Sequence, residues 1–353
     1  MAGGSGTRFW PKSTSKKPKQ FLNLTGEGSL IELTARRFQG IVDPSQVRIS
    51  TTKELSDSVL RALPKCSSQQ LILEPMAKNT APCIGLSAVK LLSEDPEALM
   101  VVLPSDHLIK NVEGFKKVIL DSVSYVQASS RILTIGIEPT YAETGFGYIR
   151  SGDRDPNATK GIEIFNVAEF VEKPNRERAE EYLKTKLYYW NAGIFVFKAK
   201  TILEEFRMHL PKTHEVLLKI QSLFSEKSQE QRVRELFSTL EPVSIDYGIM
   251  EKSNCVSVFP ARGLGWSDVG SWLAMEEISP KVSGGVSNRP DVISIDSSGN
   301  IIDSDLGCVA LIGIENLIVI RTGESLLICQ KDRAQDIKKI VEELKAKKRL
   351  DLL

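Results

Sequence analysis

Apolar runs of strand length recur along this chain at residues 47–50, 70–73, 99–103, 131–135, 165–171, 193–197 and 255–259, with helix-like segments between many of them at 29–38, 53–63, 81–92, 114–128 and 176–186. Such alternation restricts the chain to an α/β architecture. It predicts a Rossmann-like, mostly parallel sheet covered by helices on both faces, with ligands bound beyond the carboxyl ends of the strands. Residues 199–237 are helical and charged, broken at Pro211. After Pro280 the texture changes to short β-branched runs at 291–296, 308–313 and 316–320, separated by turn residues such as Ser298, Gly299 and Asn300. Ile337, Ile340, Val341 and Leu344 then fall at helical spacing. The 353 residues, 41% of them hydrophobic, can bury one large core and a smaller one. The expected division is a large α/β domain over 1–280 and a small β domain with a closing amphipathic helix over 281–353.

Charge excludes several function classes. The 46 basic and 45 acidic residues nearly cancel, so nothing favours nucleic acid or a membrane surface as the main partner, and the substrate should be small. No apolar run reaches the roughly 18 residues of a membrane span. Cys66, Cys83, Cys255, Cys308 and Cys329 lack metal-ligand spacing, and no charged-then-apolar leader opens the sequence, so a reduced cytoplasmic enzyme is expected.

Residues 3–20 carry the most chemistry. Gly3, Gly4 and Gly6, with Ser5 and Thr7, let backbone N–H groups close around phosphate oxygens, while Arg8 and Lys19 add positive charge. The spacing is neither a Walker A loop nor a dinucleotide fingerprint. With Arg8-Phe9-Trp10-Pro11 and Pro18-Lys19-Gln20-Phe21, the run resembles the signature of the sugar nucleotidyltransferases.

That resemblance implies guanylyl transfer from GTP to a hexose 1-phosphate, with mannose 1-phosphate first and another hexose or a heptose as alternatives. A non-catalytic relative that senses nucleotide sugars is the rival of another class. The C-terminal β unit is expected to resemble a left-handed β-helix, and a homodimer is compatible with the family. The resemblance also implies a short apolar strand directly ahead of Ala2. Without it two strand edges stay open and several side chains, each worth about 1.5–3 kcal/mol on burial, are lost, so five to seven apolar residues, about one strand length, are expected upstream of Met1.

Further blocks carry individual roles. The apolar run 99–103 leads into Pro104, Ser105, Asp106 and His107, which puts a carboxylate where hard oxygen ligands hold magnesium against phosphates. Alone, Asp106 could equally cap a turn. The family pairs it with a second aspartate, matched here by Asp268 in Gly265-Trp266-Ser267-Asp268-Val269-Gly270. His107 is not needed as a base, because a sugar phosphate is already ionised. Glu74, at a strand end, is the candidate reader of guanine, whose adjacent N1–H and amine donors suit a fixed carboxylate; Asn79 and Thr80 support it and can also cap the next helix. Three further blocks resemble the family's sugar-phosphate side, and the resemblance implies Gly145 and Gly147 near the sugar ring, Glu172 as acceptor for hydroxyls, Lys173 for the phosphate, and Asn191, whose amide can donate and accept. The block 246–252 is assigned a supporting role in shaping the sugar pocket.

Overall fold

The computed structural model describes residues 1–4, 6–226, 229–288 and 291–353. In chain order the main elements are α1 (Leu30–Arg36), β1 (Ile49–Thr52), α2 (Ser56–Ala62), β2 (Leu71–Glu74), α3 (Thr80–Glu94), β3 (Leu99–Val102), β4 (Leu108–Ile109), α4 (Val112–Ala128), β5 (Ile132–Ile137), β6 (Gly147–Arg154), β7 (Phe165–Glu172), α5 (Arg176–Thr185), β8 (Tyr188–Lys198), α6 (Ala199–His209), α7 (Pro211–Leu223), α8 (Glu230–Ser238), β9 (Val256–Ala261) and β10 (Trp266–Ser267). Local chemistry explains several boundaries. Ser29 and Glu32 form a reciprocal capping box at the start of α1, Asn111 accepts from the Gly114 N–H at 2.8 Å to start α4, and Pro211, expected as a break, opens α7 at its first turn.

The central sheet runs β3-β8-β5-β9-β7-β6, and β1 pairs with β2 beside it. The α/β class is as expected, and the pairing is mixed. β1–β2 and β5–β9 are parallel, while β8 runs antiparallel to β3 and β5, and β6–β7 is an antiparallel pair. Helices cover both faces. On one, Ile84 of α3, Phe206 of α6 and Leu217 of α7 pack with Phe197; on the other, Phe115 and Ile119 of α4 pack with Ile135 and Ile194.

Met1 and Ala2 lie between β1 and β3. The Ala2 N–H donates to the Ser50 carbonyl at 2.7 Å, and the Ser105 N–H donates to the Met1 carbonyl at 3.0 Å. The glycine loop therefore leaves the sheet from between two strands, at their carboxyl edge.

Beyond α9 (Met275–Ile278) the chain coils as β11 (Lys281–Val282), β12 (Gly285–Ser287), β13 (Val292–Ile295), β14 (Asn300–Ser304), β15 (Val309–Ile312), β16 (Leu317–Thr322) and β17 (Ser325–Gln330), closed by α10 (Ile337–Ala346). Strands β12, β14 and β16 stack in parallel on one side and β13 and β15 on another, as in a β-helix, with antiparallel β17 as the last rung. Gly285 is required at the first rung: a Cβ there would lie 1.9 Å from the Asn300 carbonyl oxygen. Among the described residues no helix is long and apolar enough to cross a membrane.

Candidate active site

Two very short strands bring the aspartates together. β10 pairs antiparallel with β4, setting Ser267 opposite Leu108, so the register carries Asp268 toward His107 and brings it near Asp106. Lys19 closes the arrangement. It begins a short turn behind Pro18, is 7% exposed, and its Nζ donates to Asp106 Oδ2 at 2.9 Å and to the Asp268 carbonyl at 2.6 Å. Lys19 and Asp268, 249 residues apart in sequence, thus meet directly. Asp268 Oδ1 accepts from the Gly270 N–H at 3.0 Å, and Val269 takes a positive φ of 48°, which marks a constrained loop.

Electrostatics separate the two carboxylates. Burial would raise Asp106, but Lys19 and His107 outweigh it and hold the carboxyl below its usual range. Asp268 is raised, by burial first and also by the charge of Asp106, against the pull of Lys19. One lysine therefore serves two nearby carboxylates, an arrangement that a divalent cation with hard oxygen preference fits. Among the described residues no group of three or more His, Cys, Asp or Glu gathers as a metal site, so Asp106 and Asp268 by themselves would leave most of a hard cation's shell to other oxygens. His107 is half-buried, desolvation pushes it down to about 4, and its ring meets Trp266 edge-on at 5.4 Å. A neutral histidine is consistent with a packing role.

Gly3, Gly4 and Arg8 are exposed, and Thr7–Phe9 forms a single 3-10 turn after Gly6. Ser5 lies outside the described residues. Gly6 has φ 55°, and a Cβ there would stand 2.3 Å from the Lys19 Cβ. Gly6→Ala should therefore strain the left-handed residue by about 1–2 kcal/mol and push Lys19 off Asp106. The expected result is a raised KM for the nucleotide with a lowered unfolding midpoint, measured by initial rates and thermal denaturation; an unchanged KM would show that Lys19 tolerates displacement.

Glu74 ends β2 with 5% exposure, and burial raises its carboxyl against the opposing pull of the Cys83 thiol and the N-terminal ammonium. Asn79 caps α3 by accepting from the Thr80 N–H at 2.8 Å, and Thr80 Oγ1 accepts from the Ile245 N–H at 2.8 Å. Both act structurally in this geometry.

The residues expected on the sugar side lie on or beside three adjacent strands. Gly147, the first residue of β6, pairs with Glu172 of β7, and a Cβ at Gly147 would lie 2.4 Å from Glu172 Oε2; β8 supplies Asn191 on the same side. Gly145 stands in the preceding turn, its N–H bonded to Glu143 Oε1 at 2.7 Å. Lys173, at φ 50°, pairs with Glu172 at 2.5 Å. The Asn191 oxygen already accepts from the Gly193 N–H at 3.0 Å and from Thr134 Oγ1 at 3.3 Å, while its Nδ2 donates to Asp246 Oδ1 at 2.8 Å. Asn191 therefore has little acceptor capacity left, and its remaining N–H is what it can offer.

Asp246 is the residue that sequence reasoning under-weighted. It opens a π-helical turn, Asp246–Met250, and burial together with the charge of Glu172 pushes its carboxyl up to about 6. No periodicity marks such a turn. An aromatic row, Tyr141–Trp190–Phe146–Trp266, with successive ring centroids 4.9, 5.2 and 5.4 Å apart, links β8, which carries Asn191, to the aspartate loop.

Residues 1–284 match the family model described as nucleotidyl transferase. The chain belongs to this family. Residues 290–344 match the model for a mannose-phosphate isomerase and GMP-like β-helix domain, in agreement with the parallel coil. Among similar proteins, the mannose-1-phosphate guanylyltransferase of Salmonella montevideo is 39% identical over 352 residues, covering 99% of this chain and 74% of the relative. The protein of the same name from Escherichia coli strain K12 is 37% identical over 98% of this chain and 73% of the relative. The crystal structure of a Thermus thermophilus protein, described as a mannose-1-phosphate geranyltransferase, superposes with a TM-score of 0.87 at 33% identity over 98% of each chain.

Proposed function

We propose that this chain transfers a guanylyl group, converting GTP and α-D-mannose 1-phosphate into GDP-mannose and pyrophosphate. A phosphate oxygen of the sugar phosphate bonds to the α-phosphorus, and the bond from that phosphorus to the β-phosphate's bridging oxygen breaks, pyrophosphate leaving with the electron pair. The chemistry asks for positioning and charge neutralisation rather than a protein nucleophile. Arg8, Lys19 and the N–H groups of residues 3–7 hold the departing phosphates. Lys173 steadies the attacking phosphate, and Glu172, with Asn191 and Asp246 behind it, receives the sugar hydroxyls. Magnesium, bound by Asp106 and Asp268, would neutralise phosphate charge. Residues 1–280 would carry this chemistry, and 281–353 would form the smaller unit.

The observation that carries the reading is Lys19 spanning Asp106 and the Asp268 backbone at the end of the glycine loop. Pyrophosphate release over a panel of nucleotides and sugar phosphates tests it. GTP with mannose 1-phosphate should be the preferred pair; preference for another sugar would move the enzyme within its family, and no release with any pair would leave a regulatory binder.

Base choice is tested separately. Glu74→Gln turns one acceptor into a donor facing guanine's donors, so kcat/KM with GTP should fall by the equivalent of about 1–3 kcal/mol while ATP is less affected. An unchanged GTP-to-ATP ratio would assign base reading to other groups, a real alternative given how deeply Glu74 is buried.

A further inference from the structure

The residues directly after Arg8 turn away from the substrate side and into the join with the C-terminal unit. Phe9 is 1% and Trp10 7% exposed. The Phe9 ring lies 4.9 Å from Trp272, whose Nε1 donates to the Trp10 carbonyl at 3.2 Å, and Trp10 Nε1 in turn donates to the Leu352 carbonyl at 3.0 Å. Their apolar cluster also contains Val269, next to Asp268, and Ile301, Ile318 and Ile337 of the β coil and closing helix. Lys12 then crosses to Asp303 on β14, Nζ to Oδ2 at 2.5 Å, with the Asp303 side chain only 3% exposed. A carboxylate so deeply buried is costly without its partner, so the pair holds the loop in one register.

This join answers a mechanical problem. Gly3 and Gly4 have open space around them, and the exposed Arg8 is carried on one short turn. Such a segment has many accessible conformations, and its charges could meet a triphosphate in many wrong ones. The walls that restrict it come from the β coil on one side and the Asp268 loop on the other.

We propose that the C-terminal β unit is a positioning part of the active site, with Lys12 and Asp303 as positioning residues that set the phosphate-holding loop for the nucleotide and leave the sugar side untouched. The proposal rests on the reading of Arg8 and Lys19 as phosphate-holding groups. Glu172, Asn191 and Asp246 lie on β7, β8 and the π turn, none of which contributes to this cluster.

The test uses the full chain carrying Lys12→Met together with Asp303→Asn. Removing both charges at once avoids a stranded buried ion, so the fold should hold, yet the tether is gone. The KM for GTP should rise about tenfold, since small misplacements remote from the chemistry carry effects up to about a hundredfold, while the KM for mannose 1-phosphate stays within about twofold. Lys12→Arg, which keeps the pair, should restore the GTP value. An unchanged KM for GTP in the double variant overturns the proposal, as does an equal rise for both substrates, which would mean general loosening. If the double variant does not fold, Asp303→Asn alone decides on the same two constants, because Lys12, 23% exposed, can remain solvated. Failure of the underlying reading looks different: the unmodified chain would then not turn over GTP with mannose 1-phosphate at all.

Discussion

Asp106→Asn and Asp268→Asn are each expected to lower kcat by about 10²–10³, the scale for loss of one preorganised electrostatic group, and the double variant to lose little more than the worse single. If both carboxylates serve one charge-neutralising position, as proposed, removing either disables it and the effects do not multiply. The structure separates the two variants. Asp268 holds Lys19 through its backbone carbonyl, and its Oδ1 accepts from Gly270, both of which asparagine can retain. Asp268→Asn should therefore leave the GTP KM within a few-fold of its starting value and raise the magnesium needed for half-maximal rate. Asp106→Asn removes the carboxylate charge paired with Lys19, so nucleotide KM and kcat should change together. Steady-state rates across a magnesium titration check this. Losses that multiply in the double variant, or near-normal turnover of Asp268→Asn at saturating magnesium, would return Asp268 to the role of a turn residue.

Lys19→Met should reduce kcat/KM for GTP by about 10³, combining a lost phosphate contact with a disturbed carboxylate pair. Arginine should not rescue it. Lys19 is 7% exposed and packs where a Gly6 Cβ would clash with its own, which leaves no room for a planar fork. The variant also carries a pH signature. Asp106 is held below the usual carboxylate range with Lys19 as the largest favourable influence. Removing the ammonium raises that carboxyl, so the acidic limb of the rate profile should move to higher pH. Stability follows the same direction: the depressed carboxyl contributes above its unfolded pKa, and that contribution is lost as pH falls through the folded value. Lys19→Met should lack this contribution near neutral pH and show a flatter acid-unfolding profile. A variant with unaltered GTP kinetics would place the phosphates away from Lys19.

Much of this chain is legible from one dimension. Strands such as β5 and β9 bury both faces and read as mostly apolar runs, and α3 and α4 announce themselves through an apolar stripe and an asparagine cap. The glycine loop, Lys19, Asp106 and Asp268 could be singled out because phosphate and metal chemistry demands particular residue types at loop positions. What sequence order could not supply is which of those groups touch. β4 and β10 are two residues each, too short for any period, yet their pairing brings Asp268 near Asp106. Asn191 reads as a free amide until the π turn brings Asp246 against it and its oxygen is taken by Gly193 and Thr134. Lys12 reads as one more surface lysine until β14 presents a buried Asp303. Residue type and local period follow from neighbours along the chain, and the sequence determines them alone; charge pairing, burial and the remaining hydrogen-bond capacity depend on segments hundreds of residues apart, and only the folded chain decides those.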